Sequence, residues 1–224
     1  PNVEATSKLT AGEKGCLVIH FMLWKKCVDD NLDYISIFED DILLGENAEQ
    51  FLANDEWLKV RFNFQEIFVL RLETFLMPVQ LEHQQQILPF QERNIDILKS
   101  KHFGTAGYII SNGAAKYLIN LFEKLAVEEI RAIDEIMFNE QINVSLYQVY
   151  QLNPAICVQE LQLNQENSLL VSDLQQERKK NTAVHTKKTL KQRLTRIKEN
   201  IIRALNKEQQ RLKEMQGKEI VRFI

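Results

Sequence analysis

The amino-acid sequence predicts an α/β fold with a mostly parallel sheet and an appended basic amphipathic helical tail. Three observations lead there. Short β-type runs alternate with helical stretches through the first 163 residues. A stripe of Leu190, Leu194, Ile197, Ile201 and Leu205 recurs at helical spacing near the end. Charge is divided between the two regions: from Arg178 to Ile224 there are 15 basic and 4 acidic residues, and since the whole chain carries −3, the preceding part carries −14. The chain has 224 residues, 45% hydrophobic and 26% charged, enough for one domain with a real core plus an appendage. With only 7 Gly and 4 Pro it is neither collagen-like nor linker-rich. Its apolar runs are far too short to cross a bilayer. Cys16, Cys27 and Cys157 are widely spaced among apolar residues and read as buried thiols of a reducing compartment.

The elements follow in order. Residues 10–30 read as a helix: Leu17, Val18, Phe21, Trp24 and Val28 recur at helical spacing, and Thr10 followed by Glu13 is a capping-box pattern. Residues 34–38 (YISIF) form a β-type run that ends in Glu39-Asp40-Asp41. Residues 47–62 look helical in one or two pieces, and residues 67–72 (IFVLRL) give the next strand. Residues 76–101, with Pro78 and Pro89, read as short strands and loops. Residues 104–111 (GTAGYIIS) are a glycine turn running into a strand, followed by a helix capped by Ser111 or Asn112, with Ala115, Leu118, Ile119 and Phe122 buried. A shorter helix spans 133–142 and a strand 145–151. The expected division is a core over 1–163, a polar connector over 164–188 and the basic helical tail over 189–224.

Glu39, Asp40 and Asp41 are the sharpest feature. Three carboxylates at the end of an apolar strand repel one another, and a bound divalent cation would remove that cost; oxygen-only ligands suit Mg or Mn, which commonly also hold a phosphate. The alternative is a solvated acidic turn. Asp134 and Glu135 open a helix, where acids complement the dipole, which is the plainer reading of the spacing; the alternative for Asp134 is a general base facing the acidic site. Glu73 is a second base candidate, or half of a structural pair with Arg71. Gly104, Thr105, Ala106 and Gly107 could let backbone approach a sugar or phosphate. His20, on an apolar helix, reads either as a hydrogen-bonded core histidine or as a substrate-binding group. Serine-hydrolase and zinc-protease patterns are absent from the sequence.

Five segments in this order carry a resemblance: GEKGCLVIHFMLWKKCVDDNLDYISIFEDDILLGENAEQFL (12–52), FVLRLET (68–74), HFGTAGYIIS (102–111), AIDEIMF (132–138) and YQLNPAICVQE (150–160). Together they resemble glycosyltransferase family 25, the bacterial lipooligosaccharide galactosyltransferases and their relatives. The resemblance implies a GT-A-like, Rossmann-type core that transfers a hexose, foremost galactose from UDP-galactose, to a sugar of a lipooligosaccharide. It implies that Glu39, Asp40 and Asp41 hold a divalent metal, Mn2+ foremost, against the donor diphosphate. It places Asp134 on the catalytic side, with Glu73 as runner-up, and turns Gly104–Gly107 toward donor or acceptor. It also implies that the chain starts after the family's first hydrophobic strand and basic turn, which hold base and ribose; the alternative to a transferase is then an inactive member that only binds or scaffolds. The basic helix then reads as a peripheral anchor on anionic lipid at the inner face of the bacterial inner membrane, or as a helix packed on the body. It carries no aromatic interleaving, so nucleic acid is not an expected partner.

Overall fold

A computed structural model of the chain describes residues 9–163 and 217–224. The expected connector and the Leu/Ile stripe lie outside the described residues. Helix α1 (Ala11–Asp29) starts where Thr10 and Glu13 form the expected capping box: Glu13 N–H donates to Thr10 Oγ1 at 3.2 Å, and Thr10 N–H to Glu13 Oε2 at 2.9 Å. Its buried face is Leu17, His20, Trp24 and Cys27. Val18, expected inside, is 39% exposed, because the buried stripe is rotated to take in His20.

Strand β1 (Tyr34–Phe38) leads through the acidic turn to β2 (Ile42–Leu44), then to two short helices, α2 (Ala48–Leu52) and α3 (Glu56–Lys59). Five short strands follow: β3 (Phe68–Arg71), β4 (Glu73–Thr74), β5 (Pro78–Val79), β6 (Leu81–Glu82) and β7 (Asn94–Leu98). Strand β8 (Gly107–Ser111) runs into α4 (Asn112–Lys124), where Ser111 is the cap and accepts from Ala114 N–H at 3.1 Å. The expected helix over 133–142 is α5 (Ile133–Glu135) continued by a π-helical turn, Ile136–Glu140. A 3-10 turn, Val127–Glu129, lies between α4 and α5, and strands β9 (Gln148–Asn153) and β10 (Cys157–Gln159), helix α6 (Glu160–Leu163) and strand β11 (Glu219–Ile220) complete the described elements.

The main sheet has the order β1-β8-β3-β9-β7-β6. The expectation of a mostly parallel sheet is corrected here: β3 and β9 are parallel, and the other four pairings are antiparallel. The reason is visible between β3 and β8, where no long helix intervenes; strands joined without a crossover helix return antiparallel. Helices still cover both faces. Val69, Tyr108 and Ile110 pack with Leu17, Trp24, Ala114, Leu118 and Phe122 of α1 and α4. Phe68, Leu70 and Ile109 pack with Phe51, Trp57 and Leu58 of α2 and α3. All residues of β3 and β8 are buried, which explains their apolar runs, Phe68-Val69-Leu70 and Tyr108-Ile109-Ile110.

The helical tail is corrected at its far end. Residues 217–224 are extended: β11 pairs antiparallel with β5, and Val221 is fully buried, its carbonyl accepting from Thr74 Oγ1 at 2.7 Å. Arg93 Nη2 donates to the Ile224 carbonyl at 3.1 Å. The run Ile220-Val221-Arg222-Phe223-Ile224 is β-branched and aromatic, which suits a strand.

Between the helical layers lies a buried ion pair. Arg71 Nη2 donates to Glu73 Oε1 at 2.8 Å, with side chains 0% and 1% exposed. The guanidinium also donates to the carbonyls of Gly104 at 2.8 Å and Phe103 at 2.9 Å, and lies 4.2 Å from the Phe138 ring centroid. Gln151 Nε2 donates to the Glu73 carbonyl at 2.9 Å. Glu73 Oε2 is buried with no hydrogen-bond partner among the described residues. Burial raises this carboxyl to about 8 against the pull of Arg71. The unfolded chain ionises Glu73 from its ordinary value of 4.5, so between about 4.5 and 8 the fold binds the extra proton and stability falls as pH rises. Thermal melts from pH 5 to pH 8 should show wild type losing stability relative to Glu73→Gln; parallel profiles would contradict the raised carboxyl.

Gly107 begins β8 where a side chain has no room: an added Cβ would lie 2.3 Å from Cys157 Sγ. Gly107→Ala is expected to cost about 1–3 kcal/mol in urea unfolding, and Cys157→Ala in the same chain should recover part of it.

Candidate active site

One end of the main sheet gathers the chemistry-bearing residues. Strands β1 and β3 exit there, and β8, antiparallel to both, enters there; Glu39 N–H donates to the Ala106 carbonyl at 2.9 Å, and Leu72 N–H to that of Gly107 at 2.9 Å. A cleft of about 330 Å³ opens at this end, lined by Cys16, Glu39, Gly104, Thr105, Asp134 and Gln159 among others. Such an edge, outside the carboxyl ends of strands, is where ligands of open α/β sheets gather.

Two of the three consecutive acids meet on one amide. Gln159 Nε2, at the end of β10, lies 3.2 Å from Glu39 Oε2 and 3.1 Å from Asp41 Oδ2. Asp40 is exposed on the turn between them. Burial raises the Asp41 carboxyl; Gln159 opposes that shift, while the charges of Glu39 and Asp40 reinforce it. Glu39 Oε1 also accepts from Thr105 Oγ1 at 2.9 Å. This donor set fits a hard divalent cation. Glu39 lines the cleft and Asp41 stands behind Gln159, outside its lining; together they raise negative charge there, and reversal of the Gln159 amide would offer a third oxygen.

Asp134, at the start of α5, also lines the cleft. Its Oδ2 accepts from Gly104 N–H at 3.2 Å and its Oδ1 from Glu135 N–H at 2.9 Å, so both oxygens are oriented by backbone. Gly104 has φ +82°, and a Cβ there would lie 3.0 Å from Glu73 Oε1. Gly104 and Thr105 face the cleft, whereas Ala106 and Gly107 are buried behind it. Glu73 is sealed beneath Gly104 with Arg71 and does not line the cleft. His20 is 3% exposed and stands behind Glu39, its Nε2 3.6 Å from Glu39 Oε1. Cys16 Sγ lies 4.0 Å from Glu39 Oε1, and burial, helped by Glu39, pushes the thiol up to about 12, which keeps it protonated and non-nucleophilic.

Sequence reasoning missed Gln159, Cys16 and Arg71 as parts of the site. Gln159 reaches the acids because β10 pairs antiparallel with β2, with Gln159 opposite Ile42. No spacing rule announces that long-range pairing.

The chain matches the model of glycosyltransferase family 25 (LPS biosynthesis protein) over residues 2–137. It is 63% identical over 227 residues to the lipooligosaccharide biosynthesis protein lex-1 of Haemophilus influenzae, covering all of this chain and 75% of that protein. It is 47% identical over 185 residues to the lipooligosaccharide biosynthesis protein lic2B of Haemophilus influenzae, covering 83% of this chain and 68% of that one. Against the lacto-N-neotetraose biosynthesis glycosyltransferase LgtE of Neisseria gonorrhoeae the identity is 42% over 181 residues, covering 80% of this chain and 64% of that protein. The five ordered segments, the acid-lined cleft and these matches agree, and the chain belongs to glycosyltransferase family 25.

Proposed function

We propose that the chain is a galactosyltransferase of lipooligosaccharide assembly, moving galactose from UDP-galactose to a sugar of the growing oligosaccharide with a divalent cation, Mn2+ foremost. The observation that carries this reading is the convergence of Glu39 and Asp41 on Gln159 at the edge of a cleft that Glu39, Gln159 and Asp134 line. The family match and the relatives named for lipooligosaccharide and lacto-N-neotetraose biosynthesis support it. Helices on both faces of the sheet, with acids at the exit of β1, support a GT-A-like, Rossmann-type core.

The roles follow from the geometry. Glu39 and Asp41 would hold the cation; when bound, it supplies positive charge to the departing diphosphate. Asp134, fixed by the N–H groups of Gly104 and Glu135, takes the proton from the acceptor hydroxyl. Glu73 is sealed away from the cleft and instead holds Arg71, which holds the carbonyls of Phe103 and Gly104. Gly104 and Thr105 present a close backbone and a hydroxyl to the sugar. Among the described residues no helix is long and apolar enough to cross a membrane. The basic surplus of residues 178–224 supports contact with anionic lipid on the cytoplasmic face, where a lipid-linked acceptor would be found.

Calorimetric titration of UDP should show binding that strengthens when Mn2+ is added, and UDP release from UDP-galactose should require both Mn2+ and a lipooligosaccharide acceptor. Absence of both binding and release would sink the proposal. Asp134→Asn should lower kcat by about 10²–10⁴-fold while UDP affinity holds. Asp41→Asn should instead weaken Mn2+ binding. If the two variants show the same kinetic signature, the division of labour is wrong.

A further inference from the structure

Trp24, Tyr108 and His20 form a buried polar chain that the proposed chemistry leaves without a task. Trp24 and Tyr108 are 0% exposed and His20 is 3% exposed, packed among Leu17, Cys27 and Phe122. Polar groups in such a place are costly unless partnered, and these three partner one another in series. The Trp24 indole can only donate, and it donates to the Tyr108 hydroxyl at 3.0 Å. That hydroxyl lies 2.7 Å from His20 Nδ1.

Two arrangements of protons are open. With a proton on Nδ1, the hydroxyl would accept twice, and its own buried proton would have no acceptor among the described residues. With the hydroxyl donating to Nδ1, every member of the series is satisfied and the imidazole proton sits on Nε2. Nε2 faces Glu39 Oε1 at 3.6 Å.

We infer that Trp24, Tyr108 and His20 are a directional hydrogen-bond series that holds the imidazole proton on Nε2, and that this positive edge, 3.6 Å from Glu39 Oε1, acts on the carboxylate electrostatically rather than through a hydrogen bond and biases its orientation at the cleft. The functional consequence rests on the reading of Glu39 as a metal-holding group; the series itself does not. Thr105 Oγ1 donates to the same Glu39 oxygen at 2.9 Å and Gln159 Nε2 to the other at 3.2 Å, so Glu39 is steered from α1, from the loop before β8 and from β10. A carboxylate held in this way needs no reorganisation when its partner arrives. His20 is therefore a positioning residue that acts through Glu39. The same proton placement argues against a second reading of the cluster. The ligand atoms of Cys16, His20 and Glu39 lie within 4.8 Å of one another, a plausible set for a thiophilic metal. Ligation through Nε2 would move its proton to Nδ1 and strand the Tyr108 hydroxyl proton.

Nitrogen-15 NMR of histidine-labelled chain, with His20 assigned by its loss in His20→Gln, reads the proton directly. The Nε2–H tautomer is expected in the unaltered chain, with a mixture in Tyr108→Phe. An Nδ1–H tautomer in the unaltered chain overturns the series whether or not the chain binds UDP. Electron paramagnetic resonance of free Mn2+ in the presence of UDP gives the consequence. His20→Ala and Tyr108→Phe should weaken Mn2+ binding about 10–100-fold, as supporting groups around a metal ligand do. His20→Gln, whose amide can place an N–H near the lost Nε2, should recover most of that. Equal losses in His20→Ala and His20→Gln would reduce His20 to packing and overturn its positioning role. If the tautomer is as expected and the unaltered chain binds no Mn2+ with UDP, the metal reading of Glu39 fails and the series stands.

Discussion

The buried guanidinium of Arg71 is the contact on which the cleft depends. A charge with no exposed surface must be matched on every side, and Arg71 is matched by Glu73, Gln151, two carbonyls and an aromatic face. The two carbonyls belong to Phe103 and Gly104, so neutralising the charge also pins the loop whose next amide orients Asp134 and whose Thr105 orients Glu39. Removing Glu73 would take one acceptor from a guanidinium that has no access to water, while an amide at the same place could still accept from it. The carboxyl beside it resists ionisation because burial outweighs the attraction.

Strand direction is the second determinant. An all-parallel sheet would send every strand out at one end and bring every connecting loop in at the other. Here β8 runs against β1 and β3, so its entry loop meets their exits. The loop carrying Gly104 and Thr105 therefore shares one edge with Glu39. Gly104 can take φ +82° and lie against Glu73 because it has no side chain to displace.

What the sequence revealed follows the range of each signal. The capping box of α1, the Ser111 cap of α4 and the apolar runs of β3 and β8 are local, and each was legible. The acids after β1 were legible for the same reason. Strand direction was not, since periodicity carries no information on partners; the mostly parallel expectation failed there. Gln159 and Arg71 entered the site only through long-range pairing of β10 with β2 and of β3 with β8. His20 was ambiguous because a histidine on an apolar helix face looks the same whether its partner is a tyrosine or a ligand. The basic run before residues 217–224 suggests that a helix continues to the end, whereas their own β-branched and aromatic residues favour the strand that forms.

The docking of β11 on β5 ties residues 217–224 to the floor of the site. Val221 is buried, and its carbonyl accepts from the hydroxyl of Thr74, the residue that follows Glu73 in β4. Loss of these residues would leave that hydroxyl without its acceptor and β5 without its partner strand. The segment therefore works as a clasp on the layer beneath Glu73, far from it in sequence and adjacent to it in space.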